Sequence, residues 1–200
     1  PHNAGPLRDI PAAVAWNGTQ LYIAGFNSAG ANANTGIAEI TNATATGLQT
    51  ATFSAAFGVL DTPNLRGYSG LDVEDNLLAA AYDDGAADPN GIQAYETAGN
   101  TSIAGFPLNA RGGSGVGIDL GVSGSPVAVG WGTFGSGRLR LNDASDGSVI
   151  VDGATGLVFF ANGSTFIRDS DFDPDTGDIY VRVANDLISA QRDSATSTTG

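Results

Sequence analysis

Apolar residues in this chain come in short runs, rich in Val, Ile, Tyr and Phe, separated by clusters of Gly, Asn, Asp and Ser. No stretch keeps the three-to-four spacing of an amphipathic helix. Short apolar runs bounded by turn residues are instead the mark of β-strands. The pattern predicts strands over residues 12–16, 20–26, 36–41, 77–82, 92–97, 127–131, 138–141, 148–151, 157–160, 179–183 and 187–191. Between them stand turn dipeptides: Asn17-Gly18, Asp146-Gly147, Asp152-Gly153, Asn162-Gly163 and Thr176-Gly177. Asn and Asp tolerate left-handed backbone, and Gly adopts it freely, so such pairs close hairpins. The expected fold class is all-β.

Compared with itself, the chain repeats. A short strand, a polar turn, a longer apolar strand and a third strand recur in the same order four times, with a period of roughly 50 residues. The units run approximately over 10–57, 64–109, 110–160 and 165–193, followed by a polar tail at 194–200. The second strand of each unit is apolar throughout, as expected of a sheet covered on both faces. Repeats of this length with about four short strands are characteristic of propeller blades. The fourth unit is short of an outer strand, which the segment 1–10 could supply; otherwise its open edge has to find a partner elsewhere.

The stretch DFDPDTGDIYVRV at residues 171–183 resembles the strand–turn–strand signature of bacterial β-propeller repeats. The resemblance implies a small propeller of about four blades. It implies no particular activity, because propellers host unrelated functions. A β-sandwich or jelly roll, which also strings short strands on regular turns, is the alternative architecture. Trp16 and Trp131 read as core between blades.

Composition narrows the chemistry sharply. The chain has 200 residues, of which 21 are acidic and 8 basic, all the latter Arg; it has no Lys, no Cys, no Met and one His, at position 2. Schiff-base and thiol catalysis, disulfides and thiolate zinc sites are therefore excluded, and a Ser–His–Asp triad is disfavoured. A formal charge of −13 without a basic cluster argues against nucleic acid as a partner. No apolar run is long enough to span a membrane as a helix. A start at Pro1, with no basic-then-apolar leader, suggests a processed chain or a fragment. The Gly, Ala, Ser, Thr and Asn bias without Lys suggests an extracellular or cell-surface protein. Asn17, Asn42, Asn100 and Asn162 stand in Asn-x-Ser/Thr sequences that could carry surface glycans.

Candidate chemistry is acidic. Aligning the first strands places Asp72, Asp119 and Asp171 at one position, with Ala15 in the first unit. First strands line the axis of a propeller, so three carboxylates would converge there and could hold a hard cation such as Ca²⁺. Equally, each could cap a nearby backbone N–H. A second row, Asp169, Asp171, Asp173 and Asp175, puts alternate acids on one side of an extended chain. It departs from an EF-hand loop, since Pro174 stands where Gly is needed and Tyr180 where a bidentate Glu is needed. Asp83, Asp84 and Asp88 read as a solvated loop. The Gly-rich stretch 111–138 lacks the following helix of a nucleotide fingerprint, so its glycines read as close packing between strands.

No cofactor is required by any of these features; Ca²⁺ is the candidate ion. The expected function is a non-enzymatic secreted structural protein, a homo-oligomer or homopolymer forming an extracellular filament or surface layer. The alternatives are a monomeric adhesion or ligand-binding propeller, and a metal-dependent hydrolase or lyase using the acids.

Overall fold

The structure, a computed structural model, describes residues 10–26, 37–40, 43, 52–53, 67–83, 91–99, 101–109, 116–119, 127–132, 138–151, 157–158, 167–173, 178–183 and 186–190. The described residues hold strands and turns and no helix, arranged as small antiparallel sheets.

The strands follow one another as meanders. The first contains β1 (Ile10–Trp16), β2 (Leu21–Phe26), β3 (Ile37–Ile40) and β4 (Thr52–Phe53). The second contains β5 (Gly67–Glu74), β6 (Leu77–Asp83), β7 (Gly91–Glu96), β8 (Thr101–Ser102) and β9 (Leu108–Asn109), the last two both pairing with β7. The third contains β10 (Val116–Asp119), β11 (Ala128–Gly132), β12 (Arg138–Asp143), β13 (Val149–Val151) and β14 (Leu157–Val158). The fourth contains β15 (Ile167–Phe172), β16 (Ile179–Val183) and β17 (Asp186–Ala190). A bridge between Phe26 and Gly67 ties the first two meanders into one sheet. The segment 1–9, the tail at 194–200, and the turns at 152–153, 162–163 and 176–177 lie outside the described residues.

Local turn chemistry sets the hairpins. Asn17 Oδ1 accepts the N–H groups of Thr19 and Gln20 at 3.1 and 2.8 Å, and Gly18 follows it at φ 94°. The β5–β6 hairpin closes in two residues, with Asp75 at φ 49° and Glu74 opposite Leu77. Asp is among the few side chains that accept this backbone, because it is short and polar. Between β12 and β13, Asp143 and Asp146 cap the N–H groups of Ser145 and Ser148, each at 2.8 Å.

The core lies between meanders. On β6, Leu78, Ala80 and Tyr82 join Tyr22, Ala24 and Ile37 of the first meander. Alternate residues point to opposite faces of a strand. Accordingly Ala79 and Ala81 join Val129, Trp131 and Ala144 of the third meander instead. One strand thus serves two cores, which is why its sequence does not alternate. β11 repeats the device: Val129 and Trp131 face the second meander, while Gly130 opens the other face to the Phe172 ring of the fourth. The first strands pack in series, β1 on β5, β5 on β10 and β10 on β15.

Four of the five tyrosines are buried, and Tyr22, Tyr68, Tyr82 and Tyr95 all belong to the core between the first two meanders. Burial foremost, then Tyr95 and Tyr82, holds the Tyr68 hydroxyl well above the usual tyrosine value. Trp131 is buried as expected; its Nε1–H donates to Asn142 at 3.0 Å, and the Arg140 guanidinium lies 4.9 Å from its ring centroid. Trp16 departs from expectation. It is 45 % exposed, because residues 14 and 16 of β1 point away from the second meander.

The close approach of β10 to β15 makes a test. A Cβ on Gly117 would lie 2.5 Å from the Ser170 carbonyl oxygen, whereas one on Gly130 would meet the tip of the Phe172 ring at 2.5 Å. Backbone cannot step aside as a side chain can. Gly117→Ala should therefore cost about 2–3 kcal/mol, and Gly130→Ala less. In urea denaturation Phe172→Leu should recover part of the Gly130→Ala loss and none of that from Gly117→Ala.

Candidate functional site

The aligned acids sit on the strands that pack in series. Asp72 lies on β5 opposite Ala79, Asp119 on β10 opposite Ala128, and Asp171 on β15 opposite Tyr180. Asp72 is half-buried, and its Oδ1 accepts the N–H of Val73 at 2.8 Å. Asp171 is exposed, and its Oδ1 accepts the N–H of Phe172 at the same 2.8 Å. Two of the three aligned carboxylates therefore make one and the same local bond, each to the backbone of the next residue. The side chain of Asp119 lies outside the described residues.

The second acidic row is less complete. Asp169 stands on β15 opposite Arg182, with its side chain outside the described residues. Asp173 is half-buried, and its N–H donates to the Asp178 carbonyl at 2.9 Å, closing the base of the β15–β16 turn. Asp175 falls outside the described residues, as do Asp84 and Asp88. Among the described residues no three His, Asp or Glu groups gather as a metal ion would need.

A residue that the alignment missed lies two positions beyond Asp72. Glu74 ends β5, where burial raises its carboxyl above the usual range and the charges of Asp171 and Asp75 raise it further. It borders an open cleft of about 480 Å³ at the joint of the second and third meanders. Asp75 and Glu96 add carboxylates, Leu77, Ile103 and Val127 an apolar floor, and Thr101, Ser102 and Ser145 hydroxyls. No basic residue lines it. The chemistry within its reach is hydrogen bonding in both directions and attraction of a cation. No motif announces the cleft, since its walls come from four turns and strand ends distant in sequence.

A second polar group sits at the joint of the first and second meanders. Gln20 Nε2 donates to Glu39 at 2.6 Å, and Gln20 Oε1 accepts from the Tyr22 hydroxyl at 3.0 Å and from Asn17 Nδ2 at 3.1 Å. Burial raises the Glu39 carboxyl as well. The nitrogen that a glycan would use on Asn17 is thus engaged in this network; the other three sequons have their Asn outside the described residues.

No family model matches the chain, and no curated protein matches it. Among solved structures it is similar to a chain of Kuenenia stuttgartiensis hydrazine synthase, at 16 % identity and a TM-score of 0.48. The match covers 92 % of this chain and 59 % of that one, so this chain spans about three-fifths of that protein's length.

Two expectations follow. Asn keeps an Oδ1 acceptor and Ala does not, so Asp72→Ala should lose about 1 kcal/mol while Asp72→Asn stays close to the parent. A Ca²⁺ role for the aligned acids demands the opposite pattern: a melting temperature that rises with Ca²⁺ in the parent and stops doing so in Asp72→Asn. Glu74 supplies the pH test. Its raised carboxyl makes the fold favour the protonated form, a contribution present at low pH and lost as pH climbs through the raised value. Glu74→Gln should melt above the parent at pH 7, and the gap should close as pH falls toward the ordinary glutamate value of 4.5.

Proposed function

We propose that the meanders are blades of a propeller-like stack, and that the chain is a non-catalytic scaffold that works outside the cell by associating with itself. The observation that carries this reading is the outward face of the first meander. Val14 is 61 % exposed and Trp16 45 %. Residues directly opposite on paired strands share a face. Trp16 pairs with Leu21, and Leu21 with Ile40; Val14 pairs with Ile23. Leu21, Ile23 and Ile40 are half-buried. A row of five apolar side chains across three strands marks an interaction surface on a soluble protein.

Composition supports the same reading. Only 14 % of residues are charged, and the chemistry of Lys, Cys and clustered His is missing from the chain. Ca²⁺ held by Asp72, Asp119 and Asp171 would add a metal on which the assembly depends. The cleft beside Glu74 supports a second reading, in which the scaffold also holds a small cationic or polyhydroxy ligand.

Light scattering and negative-stain microscopy of the purified chain test the proposal, first with Ca²⁺ and then with chelator. Concentration-dependent oligomers, filaments or tubes are expected. Their loss in chelator would place a metal in the contact. A monodisperse 20.1 kDa particle at every concentration contradicts self-association.

A further inference from the structure

Successive meanders in this chain lie face on face, the first two being joined also by the Phe26–Gly67 bridge. The first lies on the second through Tyr22, Ala24, Leu78 and Tyr82. The second lies on the third through Ala79, Ala81, Val129 and Trp131. The third lies on the fourth through Gly130 and Phe172. Among the described residues two sheet faces have no such neighbour. None of the strands of the fourth meander packs on the first as neighbouring meanders pack on each other. One remaining face is apolar and carries Val14 and Trp16. The other belongs to the fourth meander and carries Tyr180 and Arg182, both exposed, with Asp171 at its edge within electrostatic reach of Glu74.

We propose that the outward face of the first meander is covered by the outward face of the fourth meander of a second copy, head to tail. The proposal rests on the self-association reading and names its contact. The face-on-face stacking of the chain continues across this junction, here with polar-tipped side chains on an apolar face. Side-chain chemistry favours it over like-with-like pairing. A guanidinium and a phenol both suit an indole face, and the chain already uses this pairing, with Arg140 set 4.9 Å from the Trp131 ring. Arg182 and Tyr180 on Trp16 repeat it between copies. Joining two first-meander faces would set no guanidinium or phenol on Trp16, and joining two fourth-meander faces would leave Val14 and Trp16 in water. The heterologous contact covers both. Such a contact does not limit itself to a dimer; it closes into a ring or runs on as a filament according to the rotation per copy.

Complementation tests this directly. Two variants each spoil one face: Val14→Glu with Trp16→Glu, and Tyr180→Asp with Arg182→Glu. All four positions are exposed, and circular dichroism and melting confirm that each variant folds. By sedimentation velocity each variant alone should associate more weakly than the parent, by about tenfold or more in midpoint concentration. Mixed one to one, they should form a two-copy species that does not grow, because each pair keeps one intact junction. If the Tyr180/Arg182 variant assembles like the parent while the Val14/Trp16 variant does not, the first-meander face pairs with its own kind. Self-association then stands and this proposal falls. If both variants assemble like the parent, neither face is the contact. A parent that stays monomeric overturns self-association and this contact together.

Discussion

Burial of a strand on both faces is the constraint from which this molecule is built. β6 has the sequence LLAAAYD and presents apolar side chains in both directions, so a sheet has to lie on each side of it. Each fully buried large side chain is worth about 1.5–3 kcal/mol, a gain realised only when both neighbouring meanders are in place. The alanines at 79, 80 and 81 keep the layers close, and the bulk is supplied from across each gap by Tyr22 on one side and Trp131 on the other. Strand pairing runs mostly within each meander, which leaves the sheet faces free to be apolar. Stacking, and with it the whole arrangement, follows from that division of labour.

The same rule explains the glycines and the tyrosines. Where β10 approaches β15, backbone meets backbone at Gly117 and Ser170, and no side chain fits between them. Where β11 faces Phe172, Gly130 gives up its volume to the ring. The core between the first two meanders takes four tyrosines, whose hydroxyls require partners inside. Gln20, Glu39 and Thr97 stand at one end of that gap, and Tyr22 is held by Gln20 at 3.0 Å. Burial raises both the Tyr22 hydroxyl and the Glu39 carboxyl, so these groups remain neutral over a wider range than they would in water.

The strands were readable in the sequence because short apolar runs and Asn-Gly or Asp-Gly turns are local signals. β16 occupies the predicted residues, and the Asp146-Gly147 turn has Gly147 at φ 75°. The turn at Asp75 is legible through the repeat alone, since Glu-Asp-Asn-Leu lacks the glycine that usually marks a hairpin. The exposure of Trp16 is hidden for a different reason. Alternation along β1 reveals two faces, but it does not say which face has a neighbour. The shared position of Asp72 and Asp171 was legible by alignment; their bond to the next N–H required coordinates. The tyrosine cluster and the cleft beside Glu74 gather residues from distant segments, and no local pattern foretells such a meeting.

If two-sided burial governs stability, protection should be greatest in the strands that are covered twice. Hydrogen–deuterium exchange, measured at dilution low enough to keep single chains, reads this strand by strand. The amides of β6 and β11 are expected to exchange slowest. Those of β2 and β16, each with one covered face, are expected to exchange measurably faster. Equal protection of all four second strands, or faster exchange at β6 than at β16, would contradict the account.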